Sequence, residues 1–105
     1  MSKALTILVI GILLIQCSSE EIKRDQFFLQ GNEALENREF NKSIEFYTLS
    51  LEIDPNFTRA LNNRGVAYVE DDHPYEAIQD YTSALQIDPQ YLDAKFNRAY
   101  AYERI

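Results

Sequence analysis

The 105-residue chain holds one cysteine, Cys17, one histidine, His73, and no tryptophan. A single cysteine excludes an intrachain disulfide and any multi-cysteine metal site. A single histidine removes the usual partner from most nucleophile–base pairs and zinc sites. Neither residue has a catalytic setting around it, so no enzyme and no cofactor are expected. Glycine and proline number only three each, too few for a turn-rich all-β chain or a disordered one. Basic residues are also scarce, ten against seventeen acids, for a formal charge of −7. That balance disfavours unaided binding to nucleic acid or anionic lipid. A helix-rich composition remains, in a chain long enough for one small domain.

The one long hydrophobic run lies at the start. Lys3 precedes Ala4–Ile15, twelve residues softened only by Thr6 and Gly11. As a helix this run is ~18 Å long, short of a ~30 Å hydrocarbon core and suited to the apolar region of an export signal. It closes with Leu14-Ile15-Gln16-Cys17, followed by the polar Ser18-Ser19-Glu20-Glu21. This resembles a bacterial lipoprotein signal, in which a cysteine is lipidated on its thiol and the chain is cut just before it. Leu14 and Cys17 match the lipobox, whereas Gln16 stands where a small residue is usual. The resemblance implies a signal peptide over 1–16, lipidation of Cys17, a tether over 17–23 and an exported, membrane-anchored protein of the cell envelope. Several acyl chains give stable anchoring. The alternative is an uncleaved signal anchor whose cysteine is incidental.

The rest of the chain repeats itself. Without gaps, Arg24–Phe57 aligns on Thr58–Tyr91, a period of 34, with nine identities that include Gly31/Gly65, Tyr47/Tyr81 and Asp54-Pro55/Asp88-Pro89. Leu92–Ile105 then repeats the opening of the second unit through Ala94, Asn97, Arg98, Ala101 and Tyr102. A period of this length signifies stacked supersecondary units. Each unit reads as two helices, roughly Lys23–Asn37 and Asn41–Ile53, then Phe57–Asp71 and Pro74–Ile87. Ile44, Tyr47 and Leu51, like Ile78, Tyr81 and Leu85, recur at three- and four-residue steps and share one helical face. Asp-Pro ends each second helix, because the residue before proline is pushed out of the α region. Asp72 or His73 is placed to cap the helix that begins with Pro74. Glu70-Asp71-Asp72-His73 contains metal-capable groups but reads as an interhelical turn. Arg64 and Arg98 are placed to reach acidic neighbours on adjacent helices.

These positions resemble the tetratricopeptide repeat. Leu61, Gly65, Tyr68, Ala77, Tyr81, Ala84 and Pro89 match its pattern in the second unit. Phe27, Gly31, Ala34, Ser43, Tyr47, Ser50 and Pro55 match it more loosely in the first. The resemblance implies an all-α, short right-handed solenoid of helical hairpins, with units at 24–57 and 58–91 and a terminal helix over 92–105. It also implies a non-enzymatic scaffold that binds a protein or peptide on the concave face of its first helices. Carried over position by position, that groove comprises Phe28, Leu29, Asn32, Leu35, Arg59, Asn62, Asn63, Val66, Phe96, Asn97 and Tyr100. Asn32 and Asn63 match the two asparagines of the family's carboxylate clamp, but Phe28, Asp93 and Asn97 occupy its cationic places, so no such clamp is expected. The terminal helix reads three ways: as a cap, as the start of a longer array of which this chain is an N-terminal fragment, or as a surface for self-association.

Overall fold

The computed structural model describes residues 2–105, and these form five helices with no strand among them. They are α1 (Lys3–Glu36), α2 (Phe40–Ile53), α3 (Thr58–Glu70), α4 (Pro74–Ile87) and α5 (Leu92–Glu103). Two hairpins, α1–α2 and α3–α4, stack in sequence, and α5 closes the stack against α4 and α3. Each helix therefore meets mainly its neighbours in the chain, as in a solenoid.

The turns repeat as faithfully as the helices. Arg38 and Asp72, 34 residues apart, adopt left-handed φ angles of 59° and 63°. The next amides then donate back to the ends of α1 and α3, Glu39 N to Ala34 O at 2.8 Å and His73 N to Tyr68 O at 2.7 Å. The side chains of Asp72 and His73 therefore do not cap α4. His73 is the N-cap residue but makes no side-chain capping bond, and its ring stands edge-on to Tyr68. At the exits of α2 and α4, the Asp54 and Asp88 carboxylates accept from the amides of Asn56 and Gln90 at 3.0 and 3.1 Å. This local bond holds the chain in a turn that proline already favours.

The core is built on Tyr47 and Tyr81, 0% and 1% exposed. Each ring lies over a glycine of the preceding helix. A Cβ on Gly31 would stand 2.6 Å from Tyr47 ring carbons, and one on Gly65 2.5 Å from those of Tyr81. The small residues of α2 and α4 sit at the same interfaces. Ala77 and Ala84 are fully buried. Their counterparts also donate hydrogen bonds, Ser43 Oγ to Gly31 O at 2.9 Å and Ser50 Oγ to Arg24 O at 3.0 Å.

The start of α1 departs from the sequence reading. The helix begins at Lys3, not near Lys23, and runs unbroken through the segment 17–23 read as a tether. Nothing there stops it, since Ile12–Gln30 contains neither proline nor glycine. A change from apolar to polar composition is not a helix boundary. The aliphatic side chains from Leu5 to Ile15 are exposed beyond the repeat body, which is why the molecule measures 62 × 29 × 17 Å.

Candidate functional site

The first helices of the units, α1, α3 and α5, line one face of the stack. A chain of side-chain amides crosses that face from α5 through α3 to α1. Asn97 Nδ2 donates to Asn62 Oδ1 at 3.0 Å, Asn62 Nδ2 to Asn63 Oδ1 at 3.3 Å, and Asn63 Nδ2 to Asn32 Oδ1 at 2.9 Å. The Tyr47 hydroxyl donates to the same Asn32 oxygen at 2.5 Å, which fastens the chain to the core. An amide nitrogen carries two N–H groups. Asn62, Asn63 and Asn97 each use one within the chain, and Asn32 uses neither. Unused N–H groups are therefore left on Asn32, Asn63 and Asn97, and unused lone pairs on the oxygens of Asn63 and Asn97. A face that offers both donors and acceptors suits the main chain of an extended peptide, which carries one of each at nearly every residue.

Apolar groups flank the amides. Leu29, Phe96 and Tyr100 are 63%, 68% and 50% exposed. Val66 and Leu35 are half-buried, and Leu35 packs on the core as well as edging the face. The Arg59 guanidinium lies 5.1 Å above the Phe28 ring, and that of Arg104 lies 5.8 Å from the Tyr100 ring with a 3.0 Å bond to its hydroxyl. These are cation–π distances.

Two predicted groove residues are not available to a ligand. Phe28 is 8% exposed and belongs to the core. Phe57 folds back from the loop between units, with its ring centroid 4.9 Å from that of Phe28, and Arg24 and Arg59 both sit over the Phe57 ring. Asn62 is 5% exposed and acts as the buried link between Asn97 and Asn63. Sequence reasoning placed both on the face because Phe28, Asn62 and Phe96 are repeat equivalents, of which only Phe96 is exposed. It missed the roles of Ser43 and Ser50, which the pattern treats as merely small. Their hydroxyls among alanine counterparts were the available signal.

Arg64 lies behind the face. It grips the Asp80 carboxylate with two bonds of 2.8 and 2.7 Å and donates to Thr48 Oγ1 at 3.1 Å, so it ties α3 to both α4 and α2. Burial pushes the Asp80 carboxyl up from the ordinary carboxylate range, while the Arg64 bonds pull it down. Arg98 reaches the Thr82 hydroxyl at 3.3 Å and not an acid as expected. Cys17 is exposed and borders a trough of about 580 Å³ between α1 and the end of α2, lined also by Leu13, Arg24, Ile53 and Asp54. His73 lies 3.3 Å from Asp71, and no cluster of three metal-capable side chains forms among the described residues.

Family models of the tetratricopeptide repeat match residues 27–57 and 58–91, together more than half of the chain. Among solved structures, the tetratricopeptide domain of Arabidopsis OM64 is 27% identical with a TM-score of 0.78, covering 80% of this chain and 69% of that one. The Sgt2 domain from Aspergillus fumigatus is 31% identical with a TM-score of 0.75, covering 77% of this chain and 54% of that one. The TPR2B domain of yeast Sti1, in a complex with pHsp70, is 26% identical with a TM-score of 0.76, covering 78% and 66%. The chain thus spans little more than half of the Aspergillus domain and just under two thirds of the yeast one. No curated protein matches it.

Proposed function

Because this chain belongs to the tetratricopeptide repeat family, we propose that it is a non-enzymatic interaction module that holds an extended peptide or partner segment across α1, α3 and α5. The observation that carries this reading is the amide chain Asn32–Asn63–Asn62–Asn97, which leaves free donors and acceptors on Asn63 and Asn97 and is flanked by exposed Leu29, Phe96 and Tyr100. The yeast Sti1 domain complexed with pHsp70 supports it by analogy. The amides bond the main chain of the ligand and the apolar side chains accept its residues, an arrangement in which a few central contacts dominate the affinity. The module is held at a bacterial membrane through lipid on Cys17, after export and cleavage before that residue.

A second reading of the anchor rests on α1 itself. The helix is long and apolar enough to cross a membrane, with a mean hydropathy of 1.7 over its most apolar window. An uncleaved anchor would use that length directly. Labelling cells with a palmitate analogue, with Cys17→Ala as the control, and weighing the mature N-terminus separates the two. Labelling that disappears in Cys17→Ala, on a chain that begins at Cys17, establishes the lipoprotein. An unlabelled chain that retains its first residues establishes the uncleaved anchor.

The groove is tested by capture of partners with Asn63→Ala and Phe96→Ala, using Glu45→Ala on the outer face of α2 as the control. A central contact is worth ~2 kcal/mol, about thirty-fold in affinity. Both groove variants should lose capture and keep their helicity. Capture that survives both and fails for Glu45→Ala would place the partner on the convex face.

A further inference from the structure

The first helices of the three units differ at three positions spaced four residues apart. In α1 they are Phe27, Gly31 and Leu35, in α3 Leu61, Gly65 and Val69, and in α5 Lys95, Ala99 and Glu103. In α3 this triplet is the surface that receives the following helix. Leu61 and Val69 are 6% and 5% exposed, and Gly65 has no Cβ because the Tyr81 ring occupies its place. In α5 a base, an alanine and an acid replace these residues, and all three are exposed. Ala99 would put a Cβ where a tyrosine of a further helix packs, and Lys95 and Glu103 would bury charge. The surface does not suit another helix of the repeat type.

It does suit itself. Ala94 and Ala101 are fully buried on the inner side of α5. At 100° per residue, Ala99 and Glu103 lie on the opposite side, with Lys95 and Phe96 to either hand and Tyr102 at the edge. Suppose two copies of α5 cross antiparallel about a twofold axis at Ala99. Residues four before and four after that point then face each other, so Lys95 of each copy meets Glu103 of the other. Phe96 and Tyr102, 68% and 56% exposed in the single chain, flank the crossing on opposite sides, so that Phe96 of one copy lies beside Glu103 of the other and Tyr102 beside Lys95. A twofold contact requires a patch complementary to itself, and base–small–acid at −4, 0 and +4 meets that requirement. Alanine at the centre lets the axes approach to ~8–10 Å. We propose that the outward face of α5, centred on Ala99, docks a second copy of this chain in antiparallel register.

One short helix against another is a small interface and gives a weak dimer, so the test traps the contact. At this axial spacing two Cα atoms at the crossing stand ~4–5 Å apart, within reach of a disulfide. The full-length chain is purified in mild detergent in a Cys17→Ala background. Ala99→Cys should form a covalent dimer on oxidation, and Glu45→Cys should not. Adding Lys95→Glu to Ala99→Cys creates two repulsive pairs and should lower the cross-linked fraction by about ten-fold. Lys95→Glu with Glu103→Lys should restore it. Helicity of each variant confirms that the fold survives these exposed changes. No dimer through position 99, equal cross-linking through position 45, or a single reversal that matches the double would each overturn the proposal.

Discussion

Gly65 shows how one missing atom sets the distance between two helices. The carbons that a Cβ would strike, Cε1 and Cζ, belong to the outer half of the Tyr81 ring, but that side chain is only 1% exposed and packed on all sides, so it cannot swing aside. Alanine in place of glycine gains up to ~1 kcal/mol of helix propensity. Overpacking costs ~1–3 kcal/mol and here exceeds that gain. Gly65→Ala should therefore lower the midpoint of urea unfolding, and the loss should shrink in a Tyr81→Leu background, where the ring is gone. An unchanged midpoint would mean that the ring is free to move. The requirement for glycine was legible in the sequence, because Gly31/Gly65 and Tyr47/Tyr81 repeat together. The burial of Phe28 was not, because the ring that covers it, Phe57, comes from a loop whose path no periodicity encodes.

Each helix is joined to its neighbours by a small set of bonds, and the set differs between α3 and α5. Arg64 bonds forward to Asp80 and backward to Thr48, whereas Arg98 repeats only the backward contact, to Thr82. Removing one member of a buried pair leaves the other charge without its partner, at a cost of ~3–5 kcal/mol. Arg64→Ala should accordingly destabilise the chain by about that amount, and Arg98→Ala by less than ~1 kcal/mol. Equilibrium unfolding of the two variants side by side checks this, and equal losses would mean that the Asp80 pair contributes little. At this scale the sequence was most informative. The 34-residue period placed α2, α3 and α4 within a residue of their observed ends, since proline and the hydrophobic face both mark those ends. It failed for α1, where charge and polarity change but nothing interrupts the hydrogen-bond ladder.

In the whole molecule one continuous core depends on two neutral tyrosines. Burial pushes the Tyr47 hydroxyl up to about 12 and Tyr81 in the same direction. In the unfolded chain both ionise near ~10. Above that pH the unfolded state sheds protons that the folded state keeps, so stability is full below ~10 and falls as pH rises toward 12. The slope is ~1.4 kcal/mol per pH unit for each buried tyrosine. Helix loss on alkaline titration should coincide with the last rise in tyrosinate absorbance, and Tyr47→Phe should move it to higher pH. Tyrosinate that forms fully with helicity intact would show that the hydroxyls are open to water. Such a collapse should be nearly all-or-none, because in an array of two hairpins each interface is a large share of the total.

The unbroken course of α1 fixes what the module can reach. A binding domain on a floppy leash sweeps a hemisphere and finds ligands at a distance. Here the leash is itself the first wall of the groove. Cys17 stands seven residues before Arg24, ~10 Å along the helix axis. Under the proposed anchoring the groove is therefore carried at a set height and tilt just above the lipid. It would serve neighbours that drift past in the same plane and would rarely meet molecules deeper in the surrounding fluid.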